Sequence, residues 1–369
     1  MHYLDNSATT KVYRAASQKM LQMAEECFGN PSSLHGAGLA AEKELIKARE
    51  SVAFGLGCKS ENIIFTSGGT EADNIGIFGL ADIHKGRKIV TTDAEHPAVL
   101  EAVKELGKKG FETVFLPTMG GAPDMDTAAK VIDKDTALVT MMLVNNETGA
   151  IFPVDKIAAR IKANSNAKFH IDAVQAFGRV PFSAKTLGCD TLAVSAHKVG
   201  GPKGVGALYV ADKVRLSQTV FGGGQEGNVR SGTENMPGIA AFGVAVDETF
   251  KDGDVRRTSL AALRVYAVER LTAVGAVINE PPRAAPHIIS FSILGQKAQP
   301  TLNKLSELGV YISTGSACSS KKSRHSHVLT AMGLKENRLD SALRCSMCLE
   351  TSKDDIDALI FALSSIIKK

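Results

Sequence analysis

The chain has 369 residues and a formal net charge of +4, enough for one large and one smaller domain and no general case for nucleic-acid binding. It is 44% hydrophobic, 22% charged and 5% aromatic without tryptophan, which excludes disordered and fibrous classes and argues against a base-stacking surface. We see no signal peptide, and no apolar run approaches the ~20 residues of a membrane helix. The six dispersed cysteines indicate reduced thiols in a cytoplasmic protein.

The first two thirds of the chain predict a large α/β domain. An irregular start over residues 1–15 precedes an amphipathic helix over 38–54. Short β-branched runs then alternate with segments long enough for helices, which favours a mainly parallel sheet covered by helices. Seven strands are predicted, at residues 63–65, 88–91, 114–116, 138–144, 168–171, 191–194 and 205–210.

The pattern changes after about residue 247 and predicts a smaller α+β domain. Its predicted helices and strands are 260–273, 288–293, 300–308, 310–312, 343–347 and 353–367. We therefore assign residues 15–247 to the large domain, and residues 1–14 with 248–369 to the small one.

Ligands bind beyond the carboxyl ends of the strands in open α/β sheets, and a lysine stands at one such end. Lys198 follows the predicted strand 191–194 and precedes a glycine–proline–glycine turn. A lysine at the mouth of a buried strand is partly desolvated, so its amine can be nucleophilic and form Schiff bases with carbonyls. A solvated loop lysine is the alternative.

Three further strand ends carry polar residues, each with two interpretations. Gly69 and Thr70 begin a helix, which favours either a phosphate site or a capped glycine turn. His96 could stack on a flat ring or relay protons, or be a structural histidine. Asp172, 26 residues before Lys198, suits an ion pair with a protonated pyridine nitrogen, or a helix cap.

Seven motifs resemble those of the cysteine desulfurases of the NifS/IscS type, which are fold-type I pyridoxal phosphate enzymes of the class V aminotransferase family. The resemblance runs almost end to end. Its motifs are Leu4-Asp5-Asn6-Ser7-Ala8-Thr9-Thr10, Gly29-Asn30-Pro31-Ser32-Ser33, Thr66-Ser67-Gly68-Gly69-Thr70-Glu71, Glu95-His96, Asn145-Asn146-Glu147-Thr148-Gly149, Asp172-Ala173-Val174-Gln175 and Ser195-Ala196-His197-Lys198.

The resemblance implies pyridoxal phosphate as the cofactor and assigns residues to it. Lys198 would hold it as a Schiff base and move the α-proton, and Asp172 would pair with the ring nitrogen. Gln175 would bond the ring hydroxyl, and His96 would stack on the ring. The phosphate would be bound by Gly69, Thr70, Ser195 and His197, and by Thr233 of a neighbouring subunit, which implies a homodimer.

The resemblance also implies the substrate, L-cysteine, and a nucleophile. Asn146 and Arg344 would hold the substrate carboxylate, the arginine through a bidentate fork. Cys318, in the loop 313–329, would be the nucleophilic cysteine. Small neighbours leave its thiol accessible and the cationic run 321–324 favours the thiolate, although an isolated cysteine is more often inert.

The expected reaction converts L-cysteine to L-alanine and leaves the sulfur on Cys318 as a persulfide. The acceptor would be an iron–sulfur scaffold or a sulfurtransferase for tRNA or thiamin. The long cysteine loop suits a protein acceptor, but the chain stops at Lys369 and Cys348-Leu349 replaces the usual Gly-Arg pair, which puts the scaffold in doubt. The alternatives are a selenocysteine lyase or a non-catalytic sulfur-carrier docking subunit.

Two other patterns are not expected to carry function. Residues 222–227 fit a GxGxxG pattern, but no helix signal follows them. Cys345 and Cys348 form a lone CxxC, and His325 and His327 lie near Cys318, but the spacing matches no strong zinc signature. No metal site is therefore predicted.

Overall fold

The computed structural model describes residues 1–314 and 325–367. Its largest element is a mixed sheet of seven strands, so the α/β prediction is confirmed. In chain order these strands are β2 (Ile63–Thr66), β3 (Lys88–Thr92), β4 (Glu112–Leu116), β5 (Thr136–Met142), β6 (Lys168–Asp172), β7 (Thr191–Ser195) and β8 (Gly206–Val210); the remaining strand of the amino-terminal region, β1 (His2–Tyr3), belongs to another sheet.

The order of strands across the sheet is β2-β8-β7-β6-β5-β3-β4. Only β8 runs antiparallel to its neighbours, so the other strands in this sheet all end at the same edge. The central strands β5 and β7 are buried throughout, which explains their continuous apolar character in the sequence. The sheet therefore delivers the residues that follow β2, β3, β5, β6 and β7 to one edge.

The predicted strand 138–144 ends two residues early, at Met142. The backbone N–H of Leu143 still bonds the carbonyl of Asp172, but the side chain of Asn145 then accepts bonds from the N–H groups of Glu147 and Thr148. That local turn competes with the ladder and ends the strand.

Helices cover the sheet, and none in the described ranges is long and apolar enough to cross a membrane. The first helix was not predicted, because its stretch is mostly polar and exposed. The helices are α1 (Arg14–Glu25), α2 (Gly36–Leu56), α3 (Gly69–Ala81), α4 (Pro97–Lys108), α5 (Met125–Val131), α6 (Val154–Asn164), α7 (Ala184–Leu187), α8 (Met236–Phe250), α9 (Gly253–Ala273), α10 (Ala298–Glu307), α11 (His327–Ala331), α12 (Glu336–Leu339) and α13 (Lys353–Ile367).

A second hydrophobic core joins the two ends of the chain. It contains Leu4 together with apolar residues of α9, α10 and α13. Strand β1 pairs in parallel with β11 (Val310–Tyr311), and a separate antiparallel sheet is formed by β9 (Val277–Ile278), β10 (Ile288–Ser292) and β12 (Ala342–Ser346). The domain boundaries at residues 14 and 247 stay a prediction.

Candidate active site

A cavity of about 270 Å³ lies at the edge where the parallel strands end. Its wall is formed by residues at the ends of four strands (β3, β5, β6 and β7), by the start of α3, by the amino-terminal segment and by one residue each of α11 and β12. The predicted site residues in its wall are Gly69, Thr70, His96, Asn146, Asp172, Gln175, Ser195, His197, Lys198 and Arg344.

Lys198 enters the cavity from the short 3₁₀ turn Ala196–Lys198 that follows β7. Its Nζ donates to the backbone carbonyls of Ser7, at 2.5 Å, and Ala8, at 2.8 Å. The solvated-loop alternative is therefore wrong, because the side chain is partly buried and directed inward by the amino-terminal segment.

Asp172 ends β6 and is 6% exposed. Its Oδ1 accepts from the N–H of Val174 at 2.9 Å, so it also stabilises the turn after the strand. Burial raises the pKa of this carboxyl, and the nearby His96, the Val174 N–H and Lys198 oppose that rise. A buried carboxyl of this kind fits a cationic ring nitrogen, whose charge would offset its desolvation.

His96 is the N-cap of α4, and its Nδ1 accepts from the N–H of Ala98 at 3.2 Å. Burial lowers the pKa of the ring, with Asp172 opposing and Lys198 and His327 adding to the decrease. The imidazole is therefore neutral at pH 7 and carries its proton on Nε2. Nδ1 thus has the structural role of capping α4, and the stacking of His96 on a cofactor ring stays a prediction.

The start of α3 has the features of a phosphate site. Gly68, the N-cap, offers no side chain, so the first N–H groups of the helix have no side-chain cap. The hydroxyl of Ser195 is buried and has no hydrogen-bond partner among the described residues. These donors fit a phosphate, since a helix amino terminus and an unpaired hydroxyl both favour an anion.

His197 stands beside the same end of the cavity. Its Nδ1 lies 3.2 Å from the hydroxyl of Thr9. Burial and the positive charges of Lys198 and Lys203 lower its pKa to about 4, so the ring is neutral at pH 7. It can serve a phosphate as a hydrogen-bond donor but not as a cation.

Arg344 comes from β12 and lies in the opposite part of the chain from the sheet-edge residues. One Nη donates to the backbone carbonyl of Asn146 and the other to Oδ1 of Asp5, both at 2.8 Å. Its Nε is buried and has no partner in the described ranges. The guanidinium is thus anchored at the cavity wall, with part of its fork still available to a carboxylate.

Gln175, three residues after Asp172, donates from Nε2 to the carbonyl of Ser7 at 2.9 Å. The same carbonyl accepts from Lys198. Ser7 therefore connects the two residues, and the bond from Gln175 to a ring hydroxyl stays a prediction.

Four cavity residues with polar or charged side chains were missed by sequence reasoning: Ser7, Asp73, Glu147 and His327. Asp73 is buried and its Oδ1 lies 3.1 Å from Nε2 of His170, whose Nδ1 lies 2.8 Å from the hydroxyl of Thr191. Alternation along β6 places His170 on the same face as Asp172, a signal that could have pointed to His170 but not to its partner Asp73.

Two predicted residues are not brought to the cavity. Thr233 lines a separate pocket with Glu226 and Arg230, and its role toward a neighbouring subunit stays a prediction. Cys318 lies outside the described residues.

Within the described ranges, no group of three or more His, Cys, Asp or Glu side chains is placed to hold a metal ion. Cys345 is a free thiol in the core, with its pKa raised to about 12 by burial.

An α/β sheet whose strand ends present an inward lysine, a buried carboxyl and a helix end without a side-chain cap is typical of enzymes that use a phosphorylated aromatic cofactor. Comparison with known proteins narrows that class. The aminotransferase class-V family matches residues 2–359. The chain belongs to this family and, within it, to the cysteine desulfurases of the IscS/NifS-like group, which are pyridoxal-phosphate-dependent enzymes.

Three similar proteins illustrate the match. A protein named cysteine desulfurase IscS from Dictyoglomus turgidum is 39% identical over 373 residues, which cover 100% of this chain and 94% of that one. A solved NifS-like protein superposes with a TM-score of 0.93 at 36% identity, covering 99% of each chain. A structure described as SspA in complex with cysteine has a TM-score of 0.83 at 30% identity, covering 94% of this chain and 99% of that one.

Proposed function

We propose that the protein converts L-cysteine to L-alanine and transfers the sulfur to Cys318 as a persulfide. The observation that carries this proposal is the single cavity that gathers Lys198, Asp172 and Arg344 in a chain of this family. The similar protein solved with cysteine supports the substrate. No outside oxidant is needed: as the carbon–sulfur bond of L-cysteine breaks, a sulfur–sulfur bond forms to Cys318, and the carbon takes up a proton to become the methyl group of alanine. The carbon is reduced and the two sulfurs are oxidised to the persulfide level, so the electrons balance.

The residues of the cavity fit pyridoxal phosphate. Lys198 would bind it covalently, Asp172 would pair with its ring nitrogen, Gln175 would bond its ring hydroxyl and His96 would lie against its ring. The phosphate-binding residues would be Gly69, Thr70, Ser195 and His197, with Thr233 from the partner in a homodimer. When bound, the cofactor supplies an electron sink that makes the α-proton of an amino acid acidic.

The protein's own groups would then carry the proton and the substrate. Arg344, held by Asp5 and by the carbonyl of Asn146, orients a substrate carboxylate, and the buried Nε offers a further donor. The amine of Lys198 moves the α-proton, because it is a basic group directed into the cavity and the one that would be released from the cofactor by the substrate. The Cys318 thiolate accepts the sulfur.

The sulfur acceptor is the finer part of the proposal. An iron–sulfur scaffold and a sulfurtransferase for tRNA or thiamin are the two candidate acceptors, and both are proteins that would receive the outer sulfur of the persulfide and leave the Cys318 thiol behind. The cytoplasm is the proposed location, because the cysteines in the described ranges are free thiols.

The test measures alanine and sulfide released from L-cysteine with a thiol reductant, and runs L-selenocysteine alongside. We expect equal amounts of both products, and loss of both in Cys318→Ala with the cofactor still bound. A Cys318→Ala protein that releases sulfide at the wild-type rate would contradict the proposed nucleophile. Preference for selenocysteine that survives the substitution would identify a lyase, and a protein that binds no cofactor would identify a docking subunit.

A further inference from the structure

Arg179 is a buried cation that the proposed chemistry does not use. It is 4% exposed, and its Nη2 donates to the backbone carbonyl of Lys198 at 3.0 Å. Its Nη1 is buried without a hydrogen-bond partner in the described ranges. A guanidinium stays charged in proteins, and burying it is unfavourable unless its contacts compensate.

The charge of Arg179 affects the pKa values of buried neighbouring groups. Burial, followed by the charge of Arg179, holds the pKa of His287 well below its usual range. Arg179 also opposes the rise that burial causes in the pKa of Tyr13. The guanidinium therefore lies among buried groups behind the lysine, and solvent does not screen it fully.

Arg179 follows directly from the segment that carries Asp172. Successive turns run from Asp172 to this arginine, with the N–H of Ala176 bonded to the carbonyl of Ala173 and the N–H of Arg179 bonded to that of Ala176. Gly178 has φ +69°, and a Cβ there would lie 2.5 Å from Cγ2 of Thr249. Both the backbone conformation and the close contact therefore require glycine at this position. The segment thereby brings the guanidinium to the backbone of Lys198.

We propose that Arg179 is a positioning residue that fixes Lys198 relative to Asp172. It binds the backbone carbonyl of Lys198 and not the amine. It therefore fixes the position of the backbone from which the lysine side chain enters the cavity. One side chain thus joins the segment that would hold the ring nitrogen to the turn that would hold the cofactor covalently. The inference rests on the proposed function, because it assigns Lys198 the covalent role.

The neighbouring carbonyls provide a matched control. Thr249 Oγ1 donates to the carbonyl of Val199 at 3.0 Å, and Thr10 Oγ1 donates to that of His197 at 2.9 Å. Both bonds hold the same turn, but neither side chain belongs to the segment that follows Asp172. The variant Thr249→Val keeps the methyl group that packs on Gly178 and removes one bond to the turn.

The experiment compares full-length wild-type, Arg179→Met, Arg179→Lys and Thr249→Val proteins, each freed of cofactor. Pyridoxal phosphate is added, its attachment to Lys198 is trapped with borohydride at successive times, and the fraction attached is measured by mass spectrometry. Thermal unfolding checks that each protein is folded, and kcat and KM for L-cysteine are measured on the loaded proteins.

We expect Arg179→Met to slow attachment about tenfold or more, as for the loss of a hydrogen bond from a charged donor, with kcat reduced and KM within about twofold. Arg179→Lys should recover part of the rate, and it replaces the methionine variant if that one does not fold. Thr249→Val should stay within about threefold of wild type.

Equal slowing in Arg179→Met and Thr249→Val would overturn the inference, since the arginine would then only stabilise the turn. Wild-type attachment in Arg179→Met would overturn it as well. A wild-type protein that attaches no cofactor would instead contradict the proposed function, so the two failures are distinguishable.

Discussion

Two groups of residues meet in the cavity, and they are built in different ways. The sheet-edge group (Gly69, Thr70, Asp172, Gln175, Ser195, His197 and Lys198) follows strands β2, β6 and β7, whose pairing places it automatically. The arginine cluster (Asp5, Asn146, Glu147, Ser326 and Arg344) joins the residues that follow β5 to three distant stretches of the chain, and side-chain contacts hold these stretches together.

The comparison shows that strand pairing and side-chain pairing leave different traces in a sequence. A side chain at the end of a parallel strand lies at a known edge, so its neighbours can be predicted from the strands alone. The bond between Arg344 and Asp5 joins residues 339 positions apart and follows from no local pattern. The sheet-edge group should therefore tolerate changes in the arginine cluster, which the predictions below test.

The largest effect is expected for Lys198→Ala. Without the amine there is no covalent attachment and no base for the α-proton, so activity should fall below about one thousandth of wild type. The measurement is alanine release, together with the visible absorbance of bound cofactor. Lys203→Ala, at an exposed position between the Ala196–Lys198 turn and β8, is the control and should keep both. Activity in Lys198→Ala near the wild-type level would show that another group holds the cofactor.

A smaller effect is expected for Arg344→Lys, which keeps the charge and loses the planar fork. We expect kcat/KM for L-cysteine to fall about 10- to 100-fold, carried mainly by KM, as for one lost charge-assisted bond. Cofactor absorbance should be unchanged, because the residues that would hold the cofactor belong to the sheet-edge group. Asp5→Asn keeps an acceptor oxygen for the arginine and serves as the control. Loss of cofactor from Arg344→Lys would break the comparison between the two groups.

Most of the sheet and of its edge could be predicted from sequence, and the reason is local. A short β-branched run predicts a strand of the sheet, and a polar residue directly after it must then lie at the edge where the parallel strands end. Asp172 and Lys198 were placed in this way. Residues such as Asp73 could not be placed, because its contact with His170 depends on α3 packing closely on β6, where a Cβ at Gly76 would lie 2.6 Å from the imidazole. The bonds from Lys198 to the carbonyls of Ser7 and Ala8 could not be predicted either, because these residues are 191 and 190 positions away in the sequence.

A third prediction concerns Glu95, a buried carboxyl that follows β3 and accepts bonds from Thr92 and from the N–H of Met142. Burial raises its pKa to about 8, so the folded protein binds a proton that the unfolded chain releases near pH 4.5. Stability is therefore full below about pH 4.5 and falls as pH rises to about 8, by ~1.4 kcal/mol per pH unit at most.

Glu95→Gln, which cannot ionise, should make this slope shallower by up to ~1.4 kcal/mol per pH unit in chemical denaturation of cofactor-free protein at fixed concentration, while the buried carboxyls of Asp172 and Glu147 keep their own contributions. Glu101→Gln, at an exposed position on the following helix, is the control and should keep it. If the slope between pH 5 and 8 is as steep in Glu95→Gln as in the wild type, another group releases that proton.

The smallest effect is expected where the arginine cluster meets α11. Ser326 donates to Oε2 of the buried Glu147 at 2.5 Å, and its hydroxyl also accepts from the N–H of Leu329 as the N-cap of α11. Burial raises the pKa of Glu147 and the Ser326 hydroxyl opposes that rise, so Ser326→Ala leaves a carboxyl less well solvated and a helix without its cap. We expect a loss of about 1–3 kcal/mol of unfolding free energy, measured by denaturation. Ser326→Thr keeps the hydroxyl and should retain most of the stability.

Because Glu147 belongs to the arginine cluster, cofactor attachment should be unaffected in both Ser326 variants. An attachment rate that falls with Ser326→Ala would show that the arginine cluster and the sheet-edge group are coupled through the cavity.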